Sequence, residues 1–345
     1  MSRRKQRSAT IVGLDLDPGH IAAAEVALDG SRSVKRGAVA PLRPGLIRDG
    51  EVTDPVALAE ILRDLFAAND LPNRVRIGIA NQRIVVRSLD LPVVADPKDL
   101  EQSVRAITPD HIPMPIDEAV VDYQVLGEVE TPAGPRVRVV VVAVRREIIE
   151  QMHAACDAAG LQVEGIDLSA FAMIRALAGP ATQGATLYVS VAGLINVAVA
   201  NELGCLFTRA ASGGLEAMAA SLAERRGLTI EHAHQWMTHV GLVKPLDEVE
   251  GDAELVAATR SALEDGVHQL ADTVRNSLNF YRMQESAESV DAGVVTGPAV
   301  AIDGFVARLS ELLHLPLESA IVPVAAGDAP AARLTVAAGL GGDGS

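Results

Sequence analysis

A group of possible metal ligands in this 345-residue chain lies in residues 231–239, where Glu231 is followed by His232, His234 and His239. On a helix, side chains that share a face are three or four residues apart, so spacings of two and of five are both poor for binding one metal ion. The H-E-x-x-H arrangement of zinc proteases is absent. The segment is therefore interpreted as a surface helix and not as a metal site.

The two cysteines, Cys156 and Cys205, fit neither a disulfide framework nor the paired spacing of a metal site, which agrees with a reducing cytoplasm. The chain also has no G-x-S-x-G segment and no P-loop. These motifs therefore give no support for a serine hydrolase or for a P-loop nucleotidase.

The overall charge restricts the partners of the chain. A net charge of −15 repels phosphate backbones, so nucleic acid is not an expected partner. The exception is the basic stretch at residues 1–8, with Arg3, Arg4, Lys5 and Arg7, which is predicted to be a disordered tail; contact with anionic lipid or nucleic acid is the alternative. No apolar run is long enough for a signal peptide or a membrane span. The sequence predicts a cytoplasmic protein without direct membrane insertion.

Hydrophobic residues make up 49% of the chain and aromatic residues only 3%, so the core must be built from aliphatic side chains, which is typical of α/β proteins. Two similar strand pairs are predicted. The first lies at residues 9–30 and is closed by the hairpin dipeptide Asp29-Gly30; the second consists of Thr186–Val191 and Ile195–Ala200. Each pair is joined by a turn that contains glycine. The pattern by itself predicts an α/β protein with two lobes.

The elements between these strand pairs are also indicated by local signals. Asp54 is a good N-cap and Pro55 suits the first helical position, so a helix is predicted over residues 54–68. A long helix is predicted at Leu255–Phe280, because its apolar residues recur at helical spacing. The segment 83–160 is interpreted as a compact unit of its own.

Three stretches of the chain resemble the PilM family of type IV pilus assembly proteins. The most specific is HIPMPIDEAVVDYQVLG at residues 111–127, and residues 45–65 and 145–177 are similar to the family at a lower level. Together the resemblance covers roughly residues 10–340. The residues of the first stretch that match the family signature are Ile112, Pro113, Pro115, Asp117, Glu118, Asp122, Tyr123 and Gln124.

The resemblance implies an α/β, actin-like (ribonuclease H-like) two-lobed fold with an FtsA-type inserted subdomain, which actin itself lacks. In this sequence the first lobe is expected at residues 9–82 and 161–182. The inserted subdomain is expected at residues 83–160 and the second lobe at residues 183–341.

The resemblance also implies a role. The chain is expected to be part of the cytoplasmic platform beneath a type IV pilus and to bind the N-terminal cytoplasmic peptide of a PilN-like inner-membrane protein. The expected binding groove involves the inserted subdomain that carries the signature residues. Pilus motor and platform components are further expected partners, and these partners hold the protein at the inner membrane. A related secretion or DNA-uptake machine, and assembly into a homo-oligomeric ring, are left open.

Actin-like proteins hold ATP and Mg²⁺ between two phosphate loops, whose turns donate backbone N–H groups. The resemblance places Asp15 on the metal side of such a site. A solvated turn is the alternative interpretation for His20, and plain turn geometry is the alternative for the glycines after residue 210. The candidate nucleotide-binding residues are Gly13, Asp15, Gly19, His20, Gly193, Asn196, Gly213, Gly214 and Gly297.

Both loops depart from the family pattern. Asp17 adds a negative charge where phosphates should lie, and Pro18 removes one N–H donor. Ser190 stands where the family has an aspartate, and no lysine follows in the first hairpin. Binding of ATP and Mg²⁺ is therefore left open. A scaffold with a degenerate nucleotide cleft and weak or absent ATPase activity is the preferred hypothesis, and an active ATPase is the alternative.

Overall fold

The structure of the chain is a computed structural model whose described residues are 10–28, 33–94, 96–132, 134–179, 184–284, 287–326 and 329–342. The predicted basic tail at residues 1–8 and the predicted Asp29-Gly30 turn lie outside these residues. Within the described residues, the strands form two five-stranded sheets, one three-stranded sheet and one two-stranded hairpin.

The first five-stranded sheet contains the strand pair predicted at the start of the chain. Its strands are β1 (Thr10–Asp17), β2 (His20–Ala27), β3 (Val34–Pro41), β6 (Arg74–Ile79) and β10 (Gln162–Leu168), in the order β10-β6-β1-β2-β3. A small hairpin of β4 (Ile47–Arg48) and β5 (Glu51–Val52) precedes β6. β1 is antiparallel to β2 and parallel to β6. The turn between β1 and β2 therefore lies at the edge where the parallel strands end.

The second five-stranded sheet repeats this arrangement. Its strands are β11 (Ala185–Val191), β12 (Ile195–Asn201), β13 (Gly204–Ala211), β14 (Val290–Thr296) and β15 (Leu317–Ser319), in the order β13-β12-β11-β14-β15. β11 is antiparallel to β12 and parallel to β14. The turn between β11 and β12 accordingly lies at the carboxyl end of β11, as the first turn does in the first sheet.

The three-stranded sheet belongs to the segment that was interpreted as a separate unit. It consists of β7 (Val85–Pro92), β8 (Ala119–Thr131) and β9 (Gly134–Arg145), in the order β7-β9-β8. On one face Val139 and Val141 of β9 pack with Leu100 and Val104 of helix α2 (Pro97–His111). On the other face, Val140 packs into the core of the second lobe. The unit is thus seated against the second lobe by the alternate residues of its central strand.

The remaining helices cover the two large sheets. They are α1 (Pro55–Ala68), α3 (Arg146–Ala158), α4 (Ser169–Leu177), α5 (Leu215–Arg226), α6 (Ile230–Val240), α7 (Ala253–Arg282), α8 (Phe305–Leu313) and α9 (Thr335–Gly341). As predicted, Asp54 caps α1 by accepting from the backbone N–H groups of Val56 and Ala57, with Pro55 in the first turn. No helix of the described residues is both long enough and apolar enough to cross a membrane.

The last helix, α9, packs against the first sheet although its residues fall in the range that was expected for the second lobe. Gly13 of β1 lies directly against the backbone of Ala337 and Gly341. On its other side, Gly339 contacts the backbone of Ala172 in α4. Helix and strand backbones approach so closely because residues 337–342 are glycine or alanine, with Leu340 as the single exception.

Candidate functional site

The two hairpin turns at the carboxyl ends of β1 and β11 touch each other across the lobes. Gly193, in the second turn, faces the first turn, and a Cβ atom there would overlap the carbonyl oxygen of Pro18. A side chain at Gly193 would therefore push the two turns apart.

The carboxylate of Asp17 connects the two turns. Its Oδ2 accepts a hydrogen bond from the backbone N–H of Gly193 at 2.5 Å, and its Oδ1 accepts one from the N–H of Leu194 at 3.0 Å. Asp17 is 6% exposed. Successive backbone N–H groups in a turn form a concave site that favours an anion. In this protein the chain's own carboxylate lies in that site.

His20 is buried beside Asp17 and belongs to a charged network between the lobes. A guanidinium nitrogen of Arg333 donates to Nδ1 of His20 at 2.6 Å, and another nitrogen of Arg333 donates to Glu216 at 3.4 Å. The other carboxylate oxygen of Glu216 lies 2.8 Å from Nε2 of His234. The interpretation of His20 as a solvated turn residue was wrong, because only 4% of this residue is exposed.

The protonation states of the network follow from its geometry. Burial and the charge of Arg333 lower the pKa of His20 to about 3, so His20 is neutral and its Nδ1 accepts from Arg333. Burial favours the protonated form of Glu216, but its hydrogen bond with His234 and the nearby charges outweigh it and lower the pKa. The network therefore contains one ionised carboxylate paired with one guanidinium.

Asp15 and Asp17 lie two residues apart on β1, so their side chains are on the same face of the strand. Burial raises the pKa of Asp15 to about 7, against the opposing effect of a hydrogen bond from Ser169 at 3.4 Å. Burial and the charge of Asp15 raise the pKa of Asp17 well above its ordinary value, against the two backbone hydrogen bonds. Among the described residues, no group of three or more His, Cys, Asp or Glu side chains is arranged to hold a metal ion.

Most of the predicted nucleotide-binding residues come together around the two turns. Gly19, with a φ of 93°, lies against the side chain of Glu216. Gly213 and Gly214 lead into α5, where the N–H of Leu215 donates to the carbonyl oxygen of Ala192 at 2.7 Å. Gly297, with a φ of 91°, packs on the backbone of Val191 at the end of β11.

Two of the predicted residues lie elsewhere. Gly13 packs against α9, as described above, and so does not face the turns. Asn196 of β12 lines a different cleft, which is also bordered by residues 85–90 of β7. In contrast, Glu216 and Arg333 belong to the network although sequence reasoning did not select them. His234 belongs to it as well, although it was considered only as a metal ligand and was assigned to a surface helix.

The residues of the two turns do not fit a nucleoside triphosphate in this arrangement. The N–H groups of Gly193 and Leu194 already donate to Asp17, and the contact between Gly193 and Pro18 fills the space between the turns. A phosphate placed here would also lie near the ionised carboxylate of Glu216, whose Oε1 is 3.8 Å from Nδ1 of His20, and like charges repel.

A cleft of about 1180 Å³ lies between the inserted unit and the second lobe and extends to the first lobe at residues 79–81 and Leu168. One wall is residues 85–90 of β7 and the other is residues 206–210 of β13. Both strands are at the edge of their sheets, so each has one side without a strand partner among the described residues. At one end, Nε2 of Gln82 donates to Oγ of Ser212 at 2.9 Å and joins the two walls.

The lining of this cleft combines apolar and basic groups. Phe280, at the end of α7, is 55% exposed and its ring centroid lies 6.0 Å from that of Phe207. Four arginines line the cleft, namely Arg83, Arg87, Arg145 and Arg209, in a protein whose net charge is strongly negative.

The family signature reaches the cleft only at its beginning. Pro113 lines the cleft, whereas Ile112 ends α2 with a buried side chain. Pro115, Asp117 and Glu118 form an exposed 3-10 turn before β8. Further signature residues lie along β8, the edge strand opposite β7 in the three-stranded sheet, and these are Asp122, Tyr123 and Gln124.

The comparisons with known proteins agree with this architecture. The chain matches the family described as type IV pilus assembly protein PilM over residues 13–325. A solved structure described as a PilM-PilN type IV pilus biogenesis complex is 23% identical, with a TM-score of 0.78 over 96% of this chain and 97% of that chain.

More distant structures share the fold. The ethanolamine utilization protein EutJ from Carboxydothermus hydrogenoformans is 15% identical, with a TM-score of 0.57 over 96% of this chain and 89% of that one. MreB 5 of Spiroplasma citri, solved with AMPPNP, is 10% identical, with a TM-score of 0.53 over 96% of this chain and 95% of that one.

The two sheets with their facing hairpin turns define an actin-like two-lobed α/β protein, as predicted. The chain belongs to the PilM family of type IV pilus assembly proteins. The resemblance drawn from residues 111–127 is thereby confirmed.

Proposed function

We propose that the chain is a cytoplasmic assembly platform of a type IV pilus, or of a related secretion or DNA-uptake machine. In this role it binds the N-terminal cytoplasmic peptide of a PilN-like inner-membrane protein, and this partner holds it at the membrane. Membership of the PilM family supports the role, and the solved PilM-PilN complex with the same fold supports the partner.

The observation that carries the proposal is the cleft between β7 and β13. Edge strands present unpaired N–H and C=O groups, to which an extended peptide adds as a further strand. Residues 85–90 of β7 border the cleft continuously, which corresponds to roughly 20 Å of extended chain at about 3.3 Å per residue. A short peptide tail therefore finds main-chain partners along the wall and an apolar anchor at Phe280.

The test is the affinity of the purified protein for the N-terminal cytoplasmic peptide of a PilN-like inner-membrane protein, measured by fluorescence anisotropy. Phe280→Glu is expected to weaken binding at least about tenfold, or roughly 1.4 kcal/mol, because it places a charge on the apolar anchor. Arg209→Glu is expected to weaken it as well, since it reverses a charge in the cleft wall.

Two matched variants control for the general effect of these changes. Val56→Glu alters an apolar residue that is 70% exposed in the first turn of α1, and Arg225→Glu reverses an exposed arginine of α5. Neither residue lines the cleft, so both variants are expected to bind the peptide as the wild type does. The proposal is contradicted if the folded wild-type protein does not bind the peptide.

An active actin-like ATPase is the alternative function. Calorimetry with Mg-ATP separates the two, because micromolar binding together with steady phosphate release supports the ATPase and contradicts the scaffold. We expect neither signal from the wild-type protein, since Asp17 occupies the N–H groups that a phosphate needs.

A further inference from the structure

We propose that Asp17 is a built-in anion, whose carboxylate occupies the phosphate position of the second hairpin turn and joins the two lobes without a nucleotide. The chain would then close its own interlobe cleft by an internal ligand. This inference concerns the turns and does not depend on the peptide partner.

The first argument is the geometry of the acceptor. Each oxygen of the Asp17 carboxylate accepts from a different backbone N–H, those of Gly193 and Leu194, at 2.5 and 3.0 Å. Hydrogen bonds from backbone N–H groups to a carboxylate are charge-assisted and stronger than neutral ones. The two residues are 176 and 177 positions away along the chain, so the bonds hold together distant segments.

The second argument is that these donors are not free for another anion. Each N–H group carries a single hydrogen, and both hydrogens are directed at Asp17. An incoming phosphate has to displace this carboxylate in a buried site, where the ionised carboxylate of Glu216, 3.8 Å from Nδ1 of His20, also repels the ligand.

The third argument is that the same interface carries a second set of connections. His20 follows the turn of Asp17 on the first sheet, and Glu216 and His234 come from α5 and α6 of the second lobe. Arg333 joins His20 to Glu216 by donating to both. Paired side chains thus hold the two lobes together at the turns between which actin-like proteins bind a nucleotide.

The experiment measures hydrogen exchange at the backbone amides of Gly193 and Leu194 in the full chain, with Asp17→Gly as the variant. Exchange at these amides is expected to rise at least about tenfold in the variant, because their acceptor is lost. Sodium formate or inorganic phosphate, compared with sodium chloride at the same ionic strength, is expected to restore protection by entering the vacated site. In the wild type, neither anion nor Mg-ATP is expected to change the exchange.

The matched control is Asp54→Gly, because Asp54 also accepts two backbone N–H groups but within its own helix. In this variant, hydrogen exchange is expected to rise at the backbone amides of Val56 and Ala57 and not at those of the second hairpin turn. If Asp17→Gly does not fold, Asp17→Ser is measured in the same way.

Each result decides the proposal. Restored protection in the presence of formate or phosphate supports it. Unchanged exchange in the Asp17 variant, or a rise that neither anion reverses, overturns it, because the carboxylate then does not stand in for a free anion. Saturable protection of the wild-type amides by phosphate or Mg-ATP overturns it as well.

Discussion

Replacing Gly339 by alanine is expected to lower the free energy of unfolding by about 2 kcal/mol or more. Gly339 lies where α9 crosses α4, and a Cβ there would overlap the carbonyl oxygen of Ala172 and lie 2.6 Å from its carbonyl carbon. Backbone atoms of a packed helix cannot move aside as a side chain can. The expected loss is net of the roughly 1 kcal/mol that alanine gains over glycine in helix propensity. Urea denaturation at equilibrium measures the change.

Gly266 of α7 provides the control, because it is also a helical glycine. The three atoms nearest to a Cβ at Gly266 all belong to the side chain of Met218. A thioether side chain is flexible and repacks readily, so Gly266→Ala is expected to change stability by less than about 1 kcal/mol. Equal losses in the two variants would contradict the idea that the close crossing of α9 and α4 is what requires glycine.

The parts of the fold that the sequence predicted well carry local signals. The helix predicted at residues 54–68 is Pro55–Ala68, since Asp54 and Pro55 define its beginning. The long helix predicted at Leu255–Phe280 is Ala253–Arg282, and its apolar stripe packs on the second sheet as its spacing indicated. Both helix predictions depend on residues that are close together in the sequence, so the local sequence pattern was sufficient.

The bounds of strand β13 were not predicted, although this strand forms a wall of the cleft beside the inserted unit. In its sequence, GCLFTRAA, three buried residues in succession follow the partly buried Gly204, and the last four residues are partly or fully exposed. The strand therefore lacks the alternation that identifies a half-buried strand. That pattern arises because one part of β13 packs into the core and another borders the cleft. Such a division depends on the tertiary packing of the inserted unit and is not encoded in a local period.

The candidate site was predictable only in its hairpin turns. The sequence pointed to Asp17 and Gly193 because they lie at the ends of predicted strands, where the hairpin turns begin. It also indicated that a charge on Asp17 is unfavourable for phosphate. What the sequence could not provide is its acceptor role toward the other lobe. The pairs His20–Arg333 and Glu216–Arg333 are separated by 313 and 117 residues. No spacing rule connects residues so far apart, so the network becomes visible only in the folded chain.

The network around His20 also determines how stability depends on pH. The pKa of His20 falls from 6.5 to about 3 on folding, chiefly because the buried site disfavours the charged imidazole and Arg333 lies beside it. On acidification the unfolded chain therefore takes up a proton before the native chain does. The stability contributed by neutral His20 is complete above about pH 6.5 and is lost progressively as the pH falls toward about 3.

When the pH is lowered from about 7.5 to about 5, protonation of His20 in the unfolded chain is expected to lower the free energy of unfolding of the wild type by roughly 2 kcal/mol. This follows from about 1.36 kcal/mol for each pH unit below the unfolded pKa. His20→Gln cannot take up this proton but keeps an oxygen that accepts from Arg333, so its stability is expected to fall less over the same range. The carboxyl groups of Asp15, Asp17 and Glu216 are present in both proteins, and the difference between the two denaturation curves isolates His20. If the wild type and His20→Gln lose equal stability over this range, the neutral, buried state of His20 is contradicted, whatever the absolute stability of the variant.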